Sequence, residues 1–279
     1  MYDEKKIVVC VSGGKDSSAM CLNLMEKGYS PSDYLRIYCD TGWEAQGTYE
    51  YLDYLEKTVG PIIRLKAEVE VPEGKQAMVQ AVETMMGFSS PMVRYIYKYG
   101  HFPSSKGQWC TRILKLKPTK KYLDSIETAE PVVLVGIRKE ESIRRAQMTS
   151  WEYSGFYECD VHRPILDWTE KDVIDIHQRF NLLPNNLYLK GWNRVGCYPC
   201  VNARKKELLL LSDTRVKIIA QIEKDLGATF FHIRNITDSS ISSVMSWAKT
   251  SRGGQQFELF NQIPHTCDKW GLCDFTGGE

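Results

Sequence analysis

Ser12-Gly13-Gly14-Lys15-Asp16-Ser17 joins the apolar run Ile7-Val8-Val9-Cys10-Val11 to a breaker-free stretch from Asp16 to Lys27. The run before the loop is of strand length and continuously apolar, the pattern of a strand buried on both faces. The stretch after it is apolar nearly all round and stops at Gly28, which predicts a buried helix. Two glycines let a backbone approach an anion closely, and the free N–H groups and dipole of a helix N-terminus attract negative charge. Ser12, Ser17 and Ser18 add hydroxyl donors, and Lys15 adds a point charge. The spacing is neither Gly-x4-Gly-Lys-Ser/Thr nor Gly-x-Gly-x2-Gly, so the standard mononucleotide and dinucleotide loops are excluded. A plain turn with a Ser or Asp cap is the alternative; strand, loop and helix falling in register favours an anion site.

Working outward, Tyr34–Cys39 reads as a second strand, 45–59 as a helix and 61–65 as a third strand. A largely helical stretch from 73 to 125 leads to a further buried strand, Pro131-Val132-Val133-Leu134-Val135-Gly136. Strands separated by helices imply βαβ units and a parallel sheet. Thr169 and Asp172 form a capping-box variant ahead of a helix carrying Val173, Ile176, His177 and Phe180, and 207–226 predicts one or two more helices. The expected architecture is α/β, a doubly wound, mostly parallel sheet with a helical, cysteine-bearing C-terminal part. The simplest division is a nucleotide-fold domain over 1–165 and a helical region over 166–279 ending in a Cys-rich loop.

Over 279 residues, 36 Lys and Arg face 35 Asp and Glu, so no global field favours nucleic acid or a membrane. No apolar run nears the ~18 residues of a membrane helix, and the acidic-flanked N-terminal run is too short for a signal peptide. Nine cysteines, an odd number over a long chain, do not read as a disulfide framework. The expectation is a soluble enzyme of a reducing compartment, the cytoplasm.

Five segments in order resemble the phosphoadenosine phosphosulfate (PAPS) reductase family of the N-type ATP pyrophosphatase, or PP-loop, superfamily. They are the loop at 12–17, Asp40-Thr41-Gly42, Gly136-Ile137-Arg138 with Arg145, Pro164–Val173, and Val195-Gly196-Cys197-Tyr198-Pro199-Cys200. The resemblance spans 7 to about 205 and implies an adenine nucleotide alpha hydrolase-like fold. It implies that Ser12, Gly13, Gly14, Lys15, Asp16 and Ser17 hold nucleotide phosphates, with Asp40 and Gly42 beside the adenosine. Gly136, Arg138 and Arg145 would reach the phosphate or sulfate end, and arginine forks do match tetrahedral oxyanions. The implied nucleotide is ATP, or adenylyl sulfate or PAPS, with Mg²⁺ and Asp16 as its contact, or Asp16 as a helix cap.

Cys197-Tyr198-Pro199-Cys200 is a Cys-x2-Cys hook that supplies two of the four ligands a closed metal site takes. By the resemblance, Cys110 adds a third; Cys273 in the terminal loop is the choice for the fourth, with Cys267 in the same loop as the alternative. The expected group is a [4Fe–4S] cluster, with zinc or free thiols as alternatives, since thiolates suit both metals.

Two departures bear on the activity. Cys110-Thr111 stands where the cluster-bearing reductases have adjacent cysteines, and the late Cys273 lies in a different frame from their terminal cysteine. Both suit the branch that uses ATP to adenylate an acceptor for sulfur transfer, as in DNA-phosphorothioation sulfurtransferases. There Lys15, Asp16, Arg138 and Arg145 would act at the phosphates and a sulfur donor would be a partner. The alternatives are a sulfonucleotide reductase with Cys273 (or Cys267) as nucleophile and thioredoxin as electron source, and a non-catalytic nucleotide or redox sensor. The stretch 94–121 interleaves cations such as Arg94, Lys98 and Arg112 with aromatics such as Tyr95, Tyr99 and Trp109. It reads either as a nucleic-acid surface or as an amphipathic hairpin with solvated lysines.

Overall fold

The computed structural model describes residues 2, 5–126, 130–233, 237–250 and 270. Its centre is a six-stranded sheet in the order β3-β2-β1-β4-β6-β5. The strands are β1 (Lys6–Cys10), β2 (Tyr34–Asp40), β3 (Ile63–Lys66), β4 (Pro131–Val135), β5 (Trp151–Ser154) and β6 (Cys159–His162). All neighbours are parallel except β5 and β6. Val8, Val9, Val132, Val133 and Leu134 are fully buried, as a central parallel sheet covered on both faces requires. Helices α1 (Lys15–Glu26) and α2 (Gln46–Val59) follow β1 and β2. The expected mostly parallel α/β fold is what the chain adopts.

After β3 come α3 (Gln76–Met86) and α4 (Pro91–Tyr99). Trp109–Thr111, the π-helical turn Arg112–Leu116 and Lys117–Asp124 then run on as one helix. The wider turn immediately precedes Pro118, whose ring in a regular helix would meet the Leu114 carbonyl. The capping box forms as expected: Thr169 Oγ1 accepts from the Asp172 amide at 3.2 Å and Asp172 accepts from the Thr169 amide at 2.7 Å. It starts the helix Glu170–Arg179. Asp213–Leu226 falls inside the helical stretch expected over 207–226, and Lys205–Leu208 overlaps its start.

The antiparallel hairpin of β5 and β6 is absent from the sequence reading. Each strand has only four residues, β5 is almost wholly exposed, and neither shows the apolar run that marks β1 or β4. One core lies between the sheet and α1, α2 and the 170–179 helix. A second joins Trp43, α3 and α4 to residues from 208–233 and 241–248.

The hairpin end carries a pH-sensitive contact. Tyr2 Oη lies 2.5 Å from His162 Nδ1, and the ring of Trp151 stacks on His162 at 4.0 Å. Burial, then Lys27 and Arg163, pull the His162 pKa down from 6.5 to about 4. Between those values the unfolded chain binds the extra proton, so stability is full above about pH 6.5 and falls as pH drops toward 4. Denaturant midpoints measured across that window should decline, and His162→Gln, which keeps a polar partner for Tyr2, should flatten the decline.

Candidate nucleotide-binding site

From β1 the chain passes to β2 and β3 on one side, and β4 then pairs with the other side of β1. The carboxyl ends of β1 and β4 therefore flank the topological switch point, where open α/β sheets bind ligands. Ser12–Ser17 leaves β1 there, and Gly136–Arg138 leaves β4 directly beside it, since Cys10 pairs with Val135.

The glycine loop is held from within and from outside. Ser17 Oγ donates to the Gly14 carbonyl at 2.9 Å and accepts the Ser12 amide at 3.0 Å. Gly13 has φ +72, and a Cβ there would lie 2.9 Å from the Thr48 methyl. Asn185 Nδ2 donates to the Gly13 carbonyl at 3.0 Å, while the Lys15 amide donates to Tyr188 Oη at 3.1 Å. Sequence reasoning missed Asn185 and Tyr188, although Asn185 after Pro184 is a readable helix cap and accepts from the Leu187 amide.

Lys15 and Arg138 are both buried and converge on one carboxylate. Arg138 Nε lies 2.5 Å from Asp16 Oδ1, and Lys15 Nζ lies 3.5 Å from Asp16 Oδ2 and 3.8 Å from Glu170. Arg138 also pairs with Glu140. Each Asp16 oxygen thus faces a cation, so Asp16 is the shared counter-ion of Lys15 and Arg138. Arg145 stands apart: it is partly exposed and pairs with Glu141.

Gly136 makes the juxtaposition of the two loops possible. A Cβ at this position would lie 2.9 Å from the Asp16 carbonyl oxygen and 3.0 Å from Ser17 Cα, both backbone atoms. Gly136→Ala should push the loops apart, costing about 1–3 kcal/mol, with a lowered melting temperature and weakened nucleotide affinity as the readouts.

Asp40 and Gly42 shape the loop after β2. Asp40 Oδ1 accepts the Gly42 amide and the Tyr49 hydroxyl, each at 2.8 Å. Gly42 has φ +65, and a Cβ on it would sit 2.7 Å from Ser90 Cα. The neighbouring Glu44, also missed from sequence, is buried and accepts Thr41 Oγ1 at 2.7 Å and the Trp43 amide at 3.0 Å.

Cys110, Cys197 and Cys200 share a neighbourhood around Lys115. Burial pushes the Cys197 thiol up to about 12 against the pull of Lys115, with Glu44, Cys200 and Cys110 adding to the rise. Burial raises Cys110 as well. The acidic groups around the half-buried Lys115, Cys197 first and Glu44 after it, raise its pKa against the downward pull of burial. Arg194 lies 3.4 Å from Cys200 Sγ. Among the described residues, however, no group of three or more His, Cys, Asp or Glu side chains is placed to hold a metal ion. Cys267 and Cys273 lie outside the described residues. Cys21 and Cys159 are buried in helix and strand, and Cys39 lies 3.4 Å from the Lys115 carbonyl oxygen.

No helix among the described residues is long and apolar enough to cross a membrane. A relative from Escherichia phage 186, an uncharacterized 37.8 kDa protein, is 32% identical over 90% of both chains. An uncharacterized protein of Methanocaldococcus jannaschii is 31% identical over 72% of this chain, which spans 43% of that protein. An adenosine 5′-phosphosulfate reductase of Neisseria meningitidis serogroup A is 32% identical over 38% of this chain and 46% of its own. Among solved structures, the PAPS reductase of Candida auris in a phosphate complex is 14% identical. It covers 69% of this chain and 81% of its own, with a TM-score of 0.49. The model of the phosphoadenosine phosphosulfate reductase domain matches residues 6–203, and by that match the chain belongs to this family.

Proposed function

We propose that the protein binds ATP at the switch point and uses it to adenylate an acceptor for sulfur transfer. The observation that carries this reading is the meeting of buried Lys15 and Arg138 at the mouth of the glycine loop. Two desolvated cations there can stabilise the charge that develops as pyrophosphate leaves. In the first step an acceptor oxygen forms a bond to the α-phosphorus and the bond to the β-phosphate oxygen breaks, releasing pyrophosphate. In the second, a sulfur nucleophile displaces AMP from the acceptor. Catalysis by this chain is then positioning and charge stabilisation by Lys15, Arg138 and the loop amides. Mg²⁺ carried on the nucleotide phosphates would neutralise part of their charge.

A second reading, reduction of adenylyl sulfate or PAPS to sulfite, is supported by the partial matches to adenosine 5′-phosphosulfate reductases. Parallel thermal melts with Mg²⁺–ATP, adenylyl sulfate and PAPS separate the two. A ligand at 100 times its dissociation constant adds about 2.7 kcal/mol, a shift of several degrees for a chain of this size. Stabilisation by ATP alone supports adenylation; a sulfonucleotide that clearly exceeds ATP replaces it with reduction. Iron and zinc content of protein purified without air tests the [4Fe–4S] and zinc expectations. Stoichiometric metal lost on Cys197→Ser would support a centre completed beyond the described residues.

A further inference from the structure

Between Glu83 and Asp124 the chain contains no Asp or Glu, yet it carries cations throughout. Three of these are neutralised: Arg94 by Glu83, Lys120 by Asp124 and Glu158, and Lys121 by Glu68. Lys98, Lys106, Arg112 and Lys117 are exposed and make no ion pair among the described residues. The same segment builds a stack of rings. Tyr95 and Tyr99, four residues apart on α4, have centroids 4.6 Å apart at 23°. Trp109 completes the group, 4.7 Å from Tyr95 and 6.1 Å from Tyr99, nearly parallel to the latter at 15°. Tyr95 is buried, whereas Tyr99 is 52% exposed and forms the outer member. Arg112 lies three residues beyond Trp109 on the same continuous helix.

We infer that this face binds single-stranded nucleic acid, which would make it the docking surface for the acceptor. The inference rests on reading the chain as an acceptor-modifying enzyme. Unpaired cations alone fit any polyanion. The exposed ring on a preformed aromatic stack selects a partner with planar, unstacked bases, since each base can lie on an aromatic face while its phosphates meet the cations. An acidic protein supplies the charge without the planar groups, and a duplex keeps its bases stacked on each other. The surface also connects to the nucleotide site: Ser90, the cap of α4, donates to the Gly42 carbonyl at 2.6 Å. The helix that begins at Trp109 packs against the end of β2 through Cys39.

The test is fluorescence anisotropy of labelled 20-nucleotide single strands of mixed sequence, DNA and RNA in separate arms, with duplex DNA and polyglutamate as competitors. Single strands should bind more tightly than duplex, with affinity falling as salt rises. Tyr99→Ala should weaken binding about tenfold or more, and Lys98→Gln with Arg112→Gln should reduce the salt dependence. Tyr99 is about half exposed, so its loss should lower the melting temperature only slightly and leave the ATP-induced shift unchanged. No binding in either arm at low salt would overturn the inference. So would equal competition by polyglutamate, or an undiminished affinity of Tyr99→Ala. A protein that binds single strands but not ATP would refute the proposed function and leave this surface standing, and the converse result would do the reverse.

Discussion

Lys15→Ala should lower turnover by two orders of magnitude or more while leaving the fold intact. Removing one preorganised group that faces developing charge in a water-poor site commonly costs 10²–10³ in rate, roughly 3–4 kcal/mol. Lys15 meets those conditions: it is only 7% exposed, it opens α1, and its ammonium lies 5.3 Å from the Tyr188 ring centroid. Its carboxylate neighbour Asp16 keeps Arg138 as a partner in the variant, so no buried charge is stranded. The contrasting substitution is Arg138→Met. This removes the closer partner of Asp16 and also releases Glu140, so it should lower the melting temperature as well as the rate. Pyrophosphate release under ATP with acceptor, measured beside the melting curve, separates the two. Unchanged turnover in Lys15→Ala would remove Lys15 from the chemistry and with it the main support for the proposed activity.

The glycine loop was readable because everything it needs is local. A buried strand, two glycines, a lysine and an apolar helix follow one another within about twenty residues, and each leaves its own compositional mark. The capping box at Thr169 and Asp172 was readable for the same reason. Gly136 was legible as a position in a motif, but its physical role was not. Only the register of β1 and β4 shows that its missing Cβ lets Asp16 and Ser17 approach. Asn185 and Tyr188 act on the loop from more than 170 residues away, and no periodicity encodes such a contact. Glu44 looked like one acid among many until the fold buried it among Thr41, Trp43 and Tyr49. The β5–β6 hairpin escaped because short, half-polar strands give weak alternation. The cysteines show an intermediate case: spacing marked the hook at 197–200 and the resemblance joined Cys110 to it, while the placement of Lys115 and Glu44 beside the hook is a property of the tertiary structure.

Trp43→Ala should cost about 3–5 kcal/mol, the range for deleting a large aromatic from a packed core, and it should disorganise the Cys197–Cys200 turn before it affects the glycine loop. Trp43 is fully buried in the second core, with Phe230 stacked on it at 6.1 Å and the Arg215 guanidinium 4.5 Å from its ring centroid. Its indole N–H donates to the Pro199 carbonyl at 3.0 Å, and its own carbonyl accepts the Tyr198 amide at 2.8 Å. A short bridge between Glu44 and Cys197 adds to the same seam. Thus one side chain ties the loop after β2 to the thiol-bearing turn, whereas the glycine loop depends on Ser17, Asn185 and Tyr188. Trp43→Phe keeps most of the ring volume but loses the donor, leaving the Pro199 carbonyl without its partner. It should cost less than alanine yet still loosen the turn, because that hydrogen bond is worth about 1 kcal/mol. Alkylation rates of the thiols under native conditions report the turn, and the ATP-induced melting shift reports the glycine loop. The expected order is faster alkylation in both variants with the ATP shift retained in Trp43→Phe. Loss of the ATP shift in Trp43→Phe with alkylation unchanged would mean that the second core supports the nucleotide site and not the cysteines.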